Sequence, residues 1–282
     1  MTITAKVIEH SVSREGIEIA TLQLRYQKFI HGEFLTHRDF SRSSASSRAI
    51  PVERMIRDVM EDPAMPVYWG KNQKGMQADE EMSAHQIKLL TRKWLSGRDD
   101  AVATAQTLMQ DGLHKQIANR VLEPYFHINT LVTATKWTNF FELRCHKDAQ
   151  PEMRELAVQM NDALFNSVPL ELAEGEWHLP YITTEERIGA ESVGDTDTLR
   201  KLSTARCARV SYLTQDGVKP QFEQDLALYD RLVGSVPLHA SPAEHQATPD
   251  RALDVMGRKE WQHKDQWRNF HGWRQHRALI EQ

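Results

Sequence analysis

Thr36-His37-Arg38-Asp39-Phe40-Ser41-Arg42-Ser43-Ser44-Ala45-Ser46-Ser47-Arg48 sets one histidine, three arginines and five serines between an apolar segment and Pro51. Guanidinium groups hold phosphate or carboxylate in bidentate fashion, and serine hydroxyls with loop N–H groups complete such a nest. Composition alone leaves two readings level: an anion-binding loop, or a flexible Ser/Arg linker or phosphorylation target.

Upstream, residues 3–9 and 17–26 are rich in Ile, Val, Leu and Thr and predict two strands around a turn at 13–16. Residues 27–38 read as a helix, with Phe29, Ile30, Phe34 and Leu35 on one face, and 39–48 as a loop. Pro51 opens a helix at the position where its missing N–H costs nothing, and Val52, Met55, Ile56 and Val59 form its apolar stripe. A Pro/Gly loop over 61–80 precedes helices at 79–96 and 99–122 and a β-branched strand at 125–135. Helices follow at 136–144 and 151–165, an irregular stretch at 166–195, and further helices near 197–211, 222–233 and 257–280. The pattern is a helix-rich α+β fold, read as one catalytic domain over 1–282 around a mostly antiparallel sheet.

The 282 residues carry 40% hydrophobic and 26% charged side chains and a net charge of −4. A mildly acidic chain is a poor coat for DNA or RNA, so no nucleic-acid polymer is expected as partner. The longest uncharged stretches, 124–135 and 232–243, span 12 residues each, against the ~20 that cross a bilayer. Two cysteines, Cys145 and Cys207, suit a reducing, cytoplasmic setting and read as packed thiols. No metal site is expected: there is no HExxH, and His271 and His276 are five residues apart. Gly70-Lys71-Asn72-Gln73-Lys74-Gly75 lacks the Lys-Ser/Thr that completes a P-loop.

The quoted segment resembles the signature of flavin-dependent thymidylate synthases, an Arg-His-Arg triplet followed by spaced Ser, Glu, Ser and Arg. His37, Arg38, Ser41, Ser46 and Arg48 match it, while Thr36 replaces the first Arg and Ser44 the Glu. Ala118-Asn119-Arg120-Val121-Leu122-Glu123-Pro124 is similar to the family's nucleotide-contacting Ala-Arg-hydrophobic-Pro stretch. Asn139-Phe140-Phe141-Glu142-Leu143-Arg144 and Ala149-Gln150-Pro151-Glu152 resemble its nucleotide and flavin stretch, with Asp148 where some members have His and Thr133 where some have Asn. Ala205-Arg206-Cys207-Ala208-Arg209-Val210-Ser211-Tyr212 and His239-Ala240-Ser241-Pro242-Ala243-Glu244-His245 resemble its opening segments. Here they follow the signature, so the chain reads as a circularly permuted member, with the resemblance covering 17–165 and 203–249 and no counterpart for 250–282.

The resemblance implies reductive methylation of dUMP to dTMP. Methylenetetrahydrofolate would be the one-carbon donor, FAD the cofactor and NADPH the reductant, in a homotetramer. It implies no enzyme thiol, and assigns catalysis to Arg144, Ser46 and His37. Flavin would meet His37, Arg38, Asn139, Ser241, Glu244 and His245. The pyrimidine deoxynucleotide monophosphate would meet Ser44, Ser46, Arg48, Arg120, Arg144 and Gln150. The missing charges at Thr36 and Ser44 keep a hydroxymethylase or another altered C5-modifying enzyme open, and a non-catalytic nucleotide- or flavin-binding protein is the alternative of another class. Structural readings stand beside these: His37 as a helix-end packing residue, Arg120 and Arg144 as surface charges, Ser241-Pro242 as a helix start.

Overall fold

A computed structural model describes residues 3–210, 221–256 and 258–281; Ser211 and Tyr212 of the Val-Ser-Tyr match lie outside the described residues. In chain order the elements are β1 (Thr4–Ser13), β2 (Glu18–Gln27), α1 (His31–Phe34), β3 (Ser41–Ser44), α2 (Val52–Glu61), α3 (Ala84–Gln110), α4 (Lys115–Ala118) and β4 (His127–Ala134). There follow α5 (Thr138–Arg144), α6 (Pro151–Phe165), β5 (Leu170–Leu172), α7 (Thr184–Val193), α8 (Thr196–Ala208) and α9 (Phe222–Val233). The last are β6 (Ala247–Pro249), β7 (Ala252–Val255), β8 (Arg258–Trp261), β9 (Trp273–Gln275) and α10 (His276–Ile280).

The main sheet runs β3-β4-β2-β1-β5, antiparallel except for β1 beside β5. Side chains alternate across a strand, and β2 and β4 are buried on both faces. Ala20, Leu22, Leu24, Tyr26, Ile128, Val132 and Ala134 pack beneath α6 against Met153, Leu156, Ala157 and Met160. Ile19 and Leu131 point the other way, Ile19 onto Phe270 and Trp273, Leu131 onto Cys207 and Val210. That second face is covered by chain that comes after residue 170. The mixed α+β class with a mainly antiparallel sheet is as expected. Among the described residues no helix is long and apolar enough to cross a membrane.

Five expected elements differ, the first being the stretch at 166–195, expected to be irregular, which holds β5 and the ten-residue α7, started by a reciprocal cap between Thr183 and Glu186. Within the loop at 39–48, Ser41–Ser44 form an edge strand, because β4 offers a free ladder: Ser41 pairs with Thr133 and Ser44 with Thr130. The helix expected over 27–38 shrinks to a 3-10 turn at Lys28–Ile30 and the single turn of α1. The two helices at 79–96 and 99–122 are one 27-residue helix, α3, followed by α4 and a 3-10 segment at Asn119–Tyr125. Gly97 does not break α3; it leaves room for the Tyr125 hydroxyl, which an added Cβ would meet at 2.5 Å. Among the described residues, 258–280 hold two strands, a 3-10 turn at Lys264–Gln266 and the short helix α10 in place of the expected helix. Arg268 and Gly272 there take φ values of 54° and 71°, which end any helix, and Trp273 is buried with its indole N–H donating to Ile17 O at 3.2 Å.

Candidate active site

β3 organises the signature. Residues two apart on a strand share a face, so Ser41 and Ser43 share the face toward the later part of the chain and Arg42 and Ser44 start from the other, although the long Arg42 side chain still reaches the cavity bordered by Glu244 and residues 268–281. Ser43 Oγ lies 2.9 Å from His245 Nε2. Ser41 Oγ accepts from the Gln275 amide at 3.2 Å and lies 3.2 Å from Asn269. On the other face Ser44 Oγ meets Thr130 Oγ1 at 3.1 Å, which in turn meets Tyr26 Oη at 3.1 Å. The Tyr26 hydroxyl also reaches His31 Nδ1 at 2.8 Å.

His37 follows α1 and sits edge-on to Phe140, with ring centroids 4.7 Å apart. Arg144, the last residue of α5, donates from Nε to His37 Nε2 at 3.0 Å. Burial, then the charges of Arg144 and Arg42, hold the His37 pKa below its ordinary value. It is therefore a neutral acceptor that orients the guanidinium. Among the described residues the two Nη groups of Arg144 have no protein partner. Asn139 and Arg38 are exposed.

Arg38 and Glu244 border one cavity of about 380 Å³, together with Phe40, Arg42 and residues from 268–281. Ser241–Glu244 form a single 3-10 turn with Ser241 exposed. His245 is fully buried and does not line the cavity. It belongs to a continuous hydrogen-bonded chain across the sheet. Ser43 joins His245, whose Nδ1 meets Thr133 Oγ1 at 2.8 Å. Thr133 meets Thr21 at 2.6 Å, Thr21 meets His178 Nε2 at 2.8 Å, and His178 Nδ1 meets Ser11 at 2.9 Å. Burial alone lowers the His245 pKa to about 3, and burial, the largest cause, holds His178 well below its usual range. Both rings are neutral and use both nitrogens.

The expected phosphate residues lie where loop 46–50 meets the Asn119–Tyr125 turn. Asn119 Nδ2 donates to Ser47 O at 2.7 Å and to Ile50 O at 2.9 Å, and Lys115 Nζ to Ala49 O at 3.0 Å. Arg120 pairs with Glu123 at 2.8 Å, and the same carboxylate oxygen accepts the Ser47 hydroxyl at 2.6 Å. Ser46 and Arg48 are exposed on that loop. Gln150 caps α6, its Oε1 accepting from Met153 N at 2.8 Å, and its amide donates to Glu152. Neither thiol is activated: burial raises the pKa of Cys145 and, more strongly, of fully buried Cys207. Among the described residues no group of three or more His, Cys, Asp or Glu is placed to hold a metal ion.

Sequence reasoning passed over Lys28 and His31, and counted Arg42 and Ser43 only as members of the Ser/Arg segment without a role of their own. The His31 pKa falls to about 4, mainly through burial and then through Lys28 and Arg42, so this ring too is neutral beside the signature. Its one sequence signal was the spacing His31 to His37 on a single amphipathic segment.

The sequence pattern of the family described as "Thymidylate synthase complementing protein" matches residues 6–170, more than half of the chain. No curated protein sequence matches. Among solved structures, the UMP/dUMP methylase PolB from Streptomyces cacaoi bound with 5-Br dUMP is similar at a TM-score of 0.49 and 18% identity, covering 57% of this chain and 89% of that one. The same enzyme bound with 5-Br UMP gives the same score and identity, covering 57% and 88%. By the extent of the sequence match, the chain belongs to the thymidylate synthase complementing protein family.

Proposed function

We propose that the protein methylates carbon 5 of a pyrimidine deoxynucleotide monophosphate, dUMP being the first candidate. Methylenetetrahydrofolate would donate the carbon and NADPH the electrons, in a cytoplasmic homotetramer. The observation that carries this reading is the contact of Arg144 with His37, two family motifs 107 residues apart. A pyrimidine carbonyl beside the open Nη groups of Arg144 would be polarised as charge develops on the ring. His37, unprotonated, holds that guanidinium in one orientation. Ser46, Arg48 and Arg120 would anchor the phosphate, with Ser44 and Gln150 nearer the ring.

The residues around Arg38 suit FAD, because a cavity rich in guanidinium groups matches a diphosphate. His37, Arg38, Asn139, Ser241 and Glu244 would hold it, with buried His245 next to Glu244 in the chain. When bound, reduced flavin supplies hydride. The permuted order of segments belongs to the same proposal, and the shared cavity of Arg38 and Glu244 supports it. Incubation with FAD, NADPH, methylenetetrahydrofolate and either dUMP or dCMP, followed by mass analysis, tests the reading. The expected product is the methylated nucleotide. A hydroxymethylated product moves the protein to the altered chemistry suggested by Thr36 and Ser44, and bound flavin without any product leaves a binding protein.

A further inference from the structure

Residues 250–282 match no part of the family pattern, yet they build half of the cavity at the signature. Arg38 and Arg42 line it from the segment around β3, and Arg268 and Arg277 from the later segment, with Glu244 and Glu281 as its carboxylates. The later segment is fastened in place. Gln275 Nε2 donates to Glu244 O at 3.2 Å and to Asn269 Oδ1 at 3.0 Å, and Asn269 Nδ2 donates to Asp39 O at 3.0 Å.

The carboxylates are taken up by the arginines of the same side. Glu281 receives Arg268 and Arg277, each at 2.8 Å, and Glu244 receives Arg277. Among the described residues Arg38 has no carboxylate partner, and Arg42 donates to Leu35 O at 2.6 Å. Four guanidiniums against two carboxylates leave the walls with an excess of two positive charges. About 380 Å³ is more than a lone oxyanion fills; it lies in the lower range of pockets that take small organic ligands, ~300–1,000 Å³.

We propose that Arg268 and Arg277 form the second wall of a diphosphate site, gripping a dinucleotide between themselves and Arg38 with Arg42. Planar guanidinium forks suit linked phosphoryl groups, which lysines would hold only as point charges. Among the described residues Arg38 and Arg42 have no carboxylate partner, and Arg268 and Arg277 would turn from their pairs with Glu281 and Glu244 to meet the anion. The excess of two charges matches the two negative charges of a dinucleotide diphosphate, whether of FAD or of NADPH. The identity of that dinucleotide rests on the flavin-dependent reading above; the anion site does not.

Calorimetric titration with inorganic pyrophosphate, FAD and NADPH tests it. The wild-type protein, Arg268→Gln, Arg277→Gln and Arg277→Lys would be compared, each checked for an unchanged melting profile. Pyrophosphate is expected to bind the wild type, at least 10-fold more weakly to Arg268→Gln and Arg277→Gln, and at an intermediate level to Arg277→Lys. It should displace whichever dinucleotide occupies the cavity. Undetectable pyrophosphate binding at millimolar concentration, or equal affinity in wild type and Arg268→Gln, overturns the proposal. Pyrophosphate binding that displaces neither FAD nor NADPH overturns the dinucleotide assignment. If displacement is seen but no nucleotide product forms, the site stands and the methylation reading falls.

Discussion

His37 and Arg144 show how one contact sets two properties. Burial is the largest cause of the lowered His37 pKa, and the Arg144 Nε–H on His37 Nε2 adds to it by placing a positive charge where a second proton would go. In Arg144→Ala the charge and part of the burial vanish, so the His37 titration midpoint should rise, as followed by NMR of its ring protons. Nucleotide affinity should fall ~10-fold or more, since a hydrogen bond from a charged group is worth ~1.5–3 kcal/mol. Arg144→Lys should restore the depressed His37 titration in part but little of the affinity, because lysine cannot present the planar fork. A His37 midpoint unmoved by Arg144→Ala would remove the guanidinium from this account.

At the scale of elements, α3 is held at its start and at its middle by different means. Its start carries a reciprocal cap, in which Ser83 Oγ accepts from Gln86 N and Gln86 Oε1 accepts from Ser83 N. Its middle depends on Gly97, against which the Tyr125 hydroxyl lies, and the Tyr125 ring is itself edge-on to Trp94 at 5.5 Å. Alanine in a helix is favoured over glycine by ~1 kcal/mol, but overpacking costs ~1–3 kcal/mol. Gly97→Ala should therefore lower stability by about 1 kcal/mol in urea unfolding. In a Tyr125→Phe background, where the opposing oxygen is gone, the same substitution should be neutral or stabilising. A stabilised Gly97→Ala single variant would mean that Tyr125 swings aside.

For the whole molecule, acid sensitivity follows from the buried imidazoles. Burial, the leading cause in each case, lowers the pKa of His31, His127 and His276 to about 4 and that of His245 to about 3. Unfolded, each titrates near ~6.5. Below that pH the unfolded chain takes up protons that the folded one refuses, so the stability present above pH ~6.5 is lost as pH falls toward 4, by up to ~1.4 kcal/mol per pH unit for each of His127, His245 and His276 and by less for His31, which solvent screens. Glu9 acts the opposite way: burial, partly offset by Arg187, raises it to about 7, so its contribution is lost as pH rises through that value. The histidines outnumber it, and the urea midpoint should drop clearly between pH 7 and pH 5. A flat midpoint would show that these rings are not held neutral in the folded state.

Sequence by itself determined the elements whose signals lie within a few residues. Alternating β-branched residues specify β1, β2 and β4, Pro51 and Gln150-Pro151 specify the starts of α2 and α6, and the His-Arg and Ser/Arg spacing marks the signature. It also marked Arg38 and Glu244, which share the cavity. Only the tertiary structure decided the rest. The Ser-rich β3 has no apolar alternation and becomes a strand because β4 completes its hydrogen bonds. Gly97 reads as a break until Tyr125 fills the space it leaves. Residues 257–280 read as a helix, but burial of Phe270 and Trp273 against Ile19 stabilises an irregular path instead. Arg268 and Arg277 reach the signature because that path is hydrogen-bonded onto Asp39, Ser41 and Glu244, contacts between residues up to 234 positions apart that no local pattern encodes.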